Sequence, residues 1–138
     1  FYLKKNRDRY YEILNNVRTR GDWESWIEFF LQGVIEVSNN SIETAKKIIR
    51  LKDDTRNKLL ENNIGGISAI RFIDLLFDRP LISSKTVAKE LHISMQAATL
   101  LLAKFEKLGI IGEITGKKRY RQYIFIEYTK IIQEGTQV

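Results

Sequence analysis

The stretch TVAKELHISMQAATLLLAKFEKLGIIGEITGKKRYRQYIF, Thr86 to Phe125, constrains this chain more than any other. Its hydrophobic period changes part-way. Val87, Ala88 and Leu91 share one helical face, and Ile93 follows at a turn marked by His92. Ala98, Leu102, Phe105 and Leu108 then share the face of a second helix. Beyond Gly109 the spacing drops to about two residues, in IIGEIT and again in YRQYIFI, with Gly116-Lys117 as the turn between them. Ser83 or Ser84 suits the N-cap of the first helix and Ser94 that of the second. Helix, tight turn, helix and two-stranded hairpin, in that order, is the winged helix-turn-helix arrangement.

Upstream, the pattern is helical throughout. In LKKNRDRYYEILNNVRTRG, Leu3, Tyr10, Ile13, Leu14 and Val17 recur at helical spacing, and Arg18, Arg20 and Gly21 are stop signals. Asp22 suits the N-cap of the next helix. There Trp23, Trp26, Ile27, Phe30, Leu31, Val34 and Ile35 line a broad face, and Trp23, Trp26, Phe29 and Phe30 form an aromatic cluster suited to packing. Around Asn40 and Ser41 either a new helix is capped or the same one continues. Ile42, Ala45, Ile48, Ile49, Thr55, Leu59 and Leu60 hold the helical period to about Glu61. Asn62 to Gly66 punctuates it, giving an expected division into a helical segment, 1–62, and a winged domain, 63–138. Ile70, Ile73, Leu76 and Phe77 predict a helix ending before Pro80, and EYTKIIQE a last short one. The expected class is mainly α, an N-terminal helical bundle followed by the winged domain with its small hairpin.

Charge narrows the function classes. Against 17 acidic residues stand 23 lysines and arginines, a net charge of +6. Lys117, Lys118, Arg119 and Arg121 concentrate four cations in the hairpin turn, and phosphate binding needs such a patch. Cysteine is absent and His92 is the sole histidine, so neither thiol chemistry nor a transition-metal set is expected. His92 reads as a structural turn residue and Asp53-Asp54 as a solvated face. Gly65-Gly66 lacks the context of a phosphate loop. Apolar runs fall far short of the ~20 residues that span a bilayer. A cytoplasmic protein without membrane association, cofactor, metal or catalytic activity is expected, and the absence of an initial Met suggests a piece of something longer.

The second helix of the pair would present Ser94, Met95, Gln96, Ala97, Thr99, Leu100 and Ala103 to a partner. Two readings follow. In the first, the partner is double-stranded DNA. Gln96 bonds adenine, Thr99 meets a phosphate or base edge, and Ser83, Ser84 and Lys85 add backbone contacts at a helix N-terminus. Lys117, Lys118, Arg119 and Arg121, with Tyr120 and Tyr123 interleaved, take phosphates and the minor groove. In the second, Met95, Leu100 and Leu101 form an apolar surface for another protein, since a helix face without Arg or Lys before Lys104 suits protein contact.

The stretch YYEILNNVRTRGDWESWIEFFLQGV, Tyr10 to Val34, resembles the segment after the catalytic core of bacterial Fic (filamentation-induced-by-cAMP) proteins, and the C-terminal part is similar to the winged domain many of them carry. The resemblance implies a parent that transfers AMP from ATP to a hydroxyl on a target protein. Such enzymes use a motif of the form HxFx(D/E)GNGRxxR, whose His is the base, whose acidic residue holds Mg²⁺ and whose loop cradles the phosphates. This chain has no such motif, so ATP and Mg²⁺ would belong to a core outside it. It also has no inhibitory-helix motif. The implied role is an accessory DNA-binding or regulatory module, with a protein-interaction or dimerisation module as the alternative. Its N-terminal helices would pack on the Fic core. Around Phe1, Tyr2, Trp23 and Phe29, apolar surface would be left over to promote a homodimer.

Overall fold

The computed structural model describes residues 2–136, without the Thr136 side chain. The chain divides into two compact units, one of residues up to 46 with those from 133 onward, the other of residues 47–132.

In the first unit, α1 (Tyr2–Lys5) and α2 (Arg7–Arg20) precede the N-terminal part of the long helix α3 (Trp23–Glu61). Gly21 ends α2 in the left-handed conformation, φ 68°, and its N–H bonds the carbonyl of Val17. Asp22 then starts α3 as the sequence predicts. Its carboxylate accepts the Ser25 hydroxyl at 2.7 Å and the Ser25 amide at 3.2 Å. These bonds hold its carboxyl below the usual range. Ile13 and Phe29 are buried, ringed by Tyr2, Tyr10 and Trp26 at centroid distances of 5.1 to 6.4 Å from Phe29. Tyr2 lies so flat on Gly33 that a Cβ there would come within 2.5 Å of its ring. Trp23 and Phe30, read as cluster members, are instead exposed. Phe29, expected to be left over, is 3% exposed. Phe1 lies outside the described residues. No new helix starts at Asn40 or Ser41: α3 runs straight through, and the Ser41 hydroxyl bonds back to the Val37 carbonyl at 2.9 Å.

The second unit takes α3 from Lys47 onward, then α4 (Ile67–Asp78), β1 (Leu81–Ser83), α5 (Ser84–Leu91), α6 (Met95–Lys107), β2 (Ile111–Glu113), β3 (Gln122–Phe125) and α7 (Ile126–Thr136) as far as Ile132. The helix pair and hairpin stand where the sequence puts them, and the fold is a winged helix-turn-helix. The sheet has three strands rather than two, all antiparallel, in the order β1-β3-β2. The added strand is Leu81–Ser83, just after Pro80, with Ile82 opposite Tyr123. Three residues are too few to show a period, which is why the sequence hid it.

The core joins these layers. Phe72 and Phe105 meet edge to face, 4.6 Å between centroids, and both are fully buried with Val87, Ala98, Leu102, Ile111 and Phe125. In α4 the buried face is Ala69, Phe72, Ile73 and Leu76. Ile70, expected on it, is 52% exposed: Ile73 and Leu76 are buried as expected, and Ala69 and Phe72 complete the face in its place. Leu60 is likewise exposed while Leu59 is buried. Leu101, read as part of an outward apolar surface, belongs to this core. So does Tyr123, which β3 turns inward.

Candidate nucleic-acid interface

Three local structures place the predicted site residues. The first is the start of α5. Ser83 is the cap: its hydroxyl accepts the Thr86 amide at 3.3 Å. As the last residue of β1 it also faces Gln122 of β3, so strand pairing fixes the entry of α5 against the base of the hairpin. Ser84 and Lys85 form the first turn beside it.

The second is the turn into α6. His92 ends α5 with φ 53°, a left-handed conformation costly for a residue with a Cβ, and its amide bonds the Lys89 carbonyl. Ile93 tucks inward, and Ser94 caps α6 by accepting the Ala97 amide at 3.1 Å. Ala98, Leu101, Leu102 and Phe105 anchor α6 in the core, which leaves Met95, Gln96, Thr99, Leu100 and Ala103 outward. Met95 is 51% and Leu100 64% exposed. Thr99 donates its hydroxyl to the Met95 carbonyl at 2.9 Å, so that donor is engaged within the helix.

The third is the wing, residues 114–121, between β2 and β3. Glu113 organises it. Its carboxylate accepts the Thr115 hydroxyl and amide and the Gly116 amide. Those bonds, from the hydroxyl first, then the amides, with the nearby Arg121 charge adding to them, hold the Glu113 carboxyl below its usual value. Gly116 takes φ 63° and Tyr120 φ 57°. Arg121 donates Nε–H to the Lys117 carbonyl at 2.9 Å, closing the tip. Lys117, Lys118, Arg119 and Arg121 are all exposed. Tyr120 is 93% exposed, whereas Tyr123 is buried in the core and shows only an edge to the groove.

Ser84, Lys85, Met95, Thr99, Lys118, Arg119 and Arg121 line one open groove of about 640 Å³. Four cations and no carboxylate line it, with Ser83, Leu102, Tyr120, Gln122 and Tyr123 completing its wall. Gln96, Leu100 and Lys117 lie outside that lining, on the outer face of α6 and on the wing. Gln122 and Glu113 were missed in the sequence. The pairing of β1 with β3 places the first, and the carboxylate-capped turn gives the second its part.

Comparison with known proteins bears on this region. Residues 70–124 match the sequence profile of a family described as HTH DNA binding domain. That stretch runs from α4 to the middle of β3 and contains every candidate contact residue. Among solved structures, the chain is similar to a MarR family protein from Bacillus stearothermophilus, with 16% identity, a TM-score of 0.39, and coverage of 70% of this chain and 72% of that one. Among the described residues no cluster of His, Asp and Glu is placed to hold a metal ion, and no helix is long and apolar enough to cross a membrane.

Proposed function

We propose that the second unit binds double-stranded DNA, with α6 in the major groove and the wing on the phosphates. The observation that carries this reading is the groove whose wall holds Lys85, Lys118, Arg119 and Arg121 with no carboxylate in its lining. The helix-turn-helix match over residues 70–124 supports it. Backbone contacts fall to Ser84 and Lys85 at the start of α5 and to the wing cations. Base edges fall to the outer face of α6. The test is fluorescence anisotropy of a labelled duplex at two salt concentrations. Binding that weakens steeply with salt and collapses when Lys117, Lys118, Arg119 and Arg121 are all changed to Ala bears the reading out. Salt-independent capture of a protein through Met95 and Leu100, with no DNA bound, overturns it.

For the chain as a whole we infer a regulatory module of a Fic-type AMP transferase that itself transfers no AMP. Two things support this: the resemblance of Tyr10 to Val34, and the row Trp23, Ile27, Phe30 and Val34, which is exposed on α3 and suits a covering Fic core. A recombinant Fic core carrying the HxFx(D/E)GNGRxxR motif, titrated into the isotope-labelled chain, is then expected to shift the Trp23 indole resonance. An unmoved indole at saturating core sinks the reading.

A further inference from the structure

The outer face of α6 has a one-sided chemistry. Each base presents a different demand in the major groove. Guanine offers two acceptors and is met by Arg or Lys. Cytosine offers a donor and is met by a carboxylate. Adenine offers one of each and is met by a carboxamide. Thymine offers a methyl group and is met by an apolar side chain.

The exposed positions of α6 from Met95 to Ala103 are Met95, Gln96, Thr99, Leu100 and Ala103. None is charged, so this stretch lacks the Arg or Lys that best specifies guanine and the carboxylate that best specifies cytosine. The hydroxyls are partly engaged: Thr99 spends its donor on the Met95 carbonyl, and Ser94 accepts from the Ala97 amide. Gln96 is left as the carboxamide, and Met95 and Leu100 as large apolar groups that water covers poorly. The first cation, Lys104, is nine residues beyond Met95, or ~13 Å along the axis at about 1.5 Å per residue.

The wing adds a second observation. Arg119 and Arg121 flank the groove on the side of the exposed Tyr120. Guanidinium groups entering a minor groove are favoured where A·T runs narrow it and deepen its negative potential.

We propose that α6 and the wing together select A·T-rich duplex DNA. Met95 and Leu100 read thymine methyl groups, Gln96 reads adenine, and Arg119 or Arg121 enters the adjoining narrow minor groove. This rests on the DNA-binding reading above and adds the class of site.

A duplex pool with ten randomised base pairs between constant flanks tests it, using the whole chain at low salt. Retained duplexes are sequenced for the wild type and for Leu100→Ala, an exposed position whose truncation leaves the core intact. The best duplex is then remade with deoxyuridine for every thymidine, which removes the methyl groups and nothing else. Expected are strong A·T enrichment over at least four adjacent positions, a loss of affinity of threefold or more on uracil substitution, and a markedly smaller uracil effect in Leu100→Ala. Retention without A·T enrichment, or an unchanged affinity for the uracil duplex, overturns this inference and leaves DNA binding standing. No retention of any duplex removes DNA binding itself. Retention of a protein by Met95 and Leu100 in its place identifies a protein-docking helix.

Discussion

The carboxylate of Glu113 accepts the amide of Gly116 at 3.0 Å, so one side chain at the end of β2 sets the turn that displays the basic wing. The Thr115 hydroxyl and amide bind the same carboxylate. The charged form is the better acceptor, and the carboxyl titrates below its ordinary value of 4.5. A depressed folded-state value means that this ordering is fully present above about 4.5. It is lost as pH falls through the lower, folded-state value. The Gly116 amide resonance is expected to move with that acidic transition and to stay constant near neutral pH. Glu113→Gln is expected to broaden residues 114–121 in the spectrum and weaken DNA binding while leaving the melting temperature nearly unchanged. A wing as sharp in the variant as in the wild type would show that the carboxylate is dispensable.

Salt dependence separates the contributions of the wing. Each phosphate neutralised releases counterions and adds roughly −0.9 to the slope of log affinity against log salt. Lys118→Ala, exposed in the groove wall, is expected to make the slope shallower by about one and to weaken binding alike on all duplexes. Leu100→Ala is expected to leave the slope as it was. An equal change of slope in both kinds of variant would mean that α6 and the wing are not distinct parts of the interface.

The helix-turn-helix stabilities follow from its caps. Ser94→Ala leaves the Ala97 amide without its acceptor and is expected to cost about 1 kcal/mol. His92 stands in the left-handed region at φ 53°, where glycine is unstrained. His92→Gly is therefore expected to hold stability or raise it by up to ~1 kcal/mol, despite removal of the only histidine. Phe105→Ala empties the centre of the second unit beside Phe72, at a cost of about 3–5 kcal/mol. Urea unfolding of the three variants, compared at unchanged slope, orders them as Phe105→Ala, Ser94→Ala, His92→Gly from least to most stable. A large loss in His92→Gly would reveal a side-chain role at the turn.

These elements differ in how readily the sequence discloses them. Helix-turn-helix and hairpin were legible because Val87, Leu91, Ala98, Leu102 and Phe105 repeat at one period and Ile111, Tyr123 and Phe125 at another, with Ser94 and Gly109 between. β1 was not, since its three residues gain their strand character from pairing with β3 rather than from any pattern of their own. The same cause hid Gln122. The aspect of α4 was misread at Ile70 because Ile70 and Phe72 are both apolar, and only packing against Phe105 decides which turns inward. For the contact residues, type and position were readable. The engagement of Thr99 with Met95 was not, because a hydroxyl free for a base and one bonded to its own helix look alike in sequence.

The first unit raises a separate expectation about association. Trp23, Ile27, Phe30, Val34 and Val37 are spaced four, three, four and three residues apart on α3, the repeat of a coiled-coil seam. All are exposed, from 42% at Val37 to 61% at Trp23, and Ser41 and Thr44 continue the seam with polar groups. A row of this size is seldom left to water, and without a Fic core a second copy can cover it. The isolated chain is expected to form a concentration-dependent dimer in light scattering. Phe30→Glu with Val34→Glu is expected to return it to a monomer with the same helical content, since neither side chain is in the core. Leu100→Ala, on the outer face of α6, is expected to leave the dimer intact. A wild-type chain that stays monomeric at high concentration would show that the seam does not pair with itself. A dimer that survives the double glutamate substitution would place the contact on another surface.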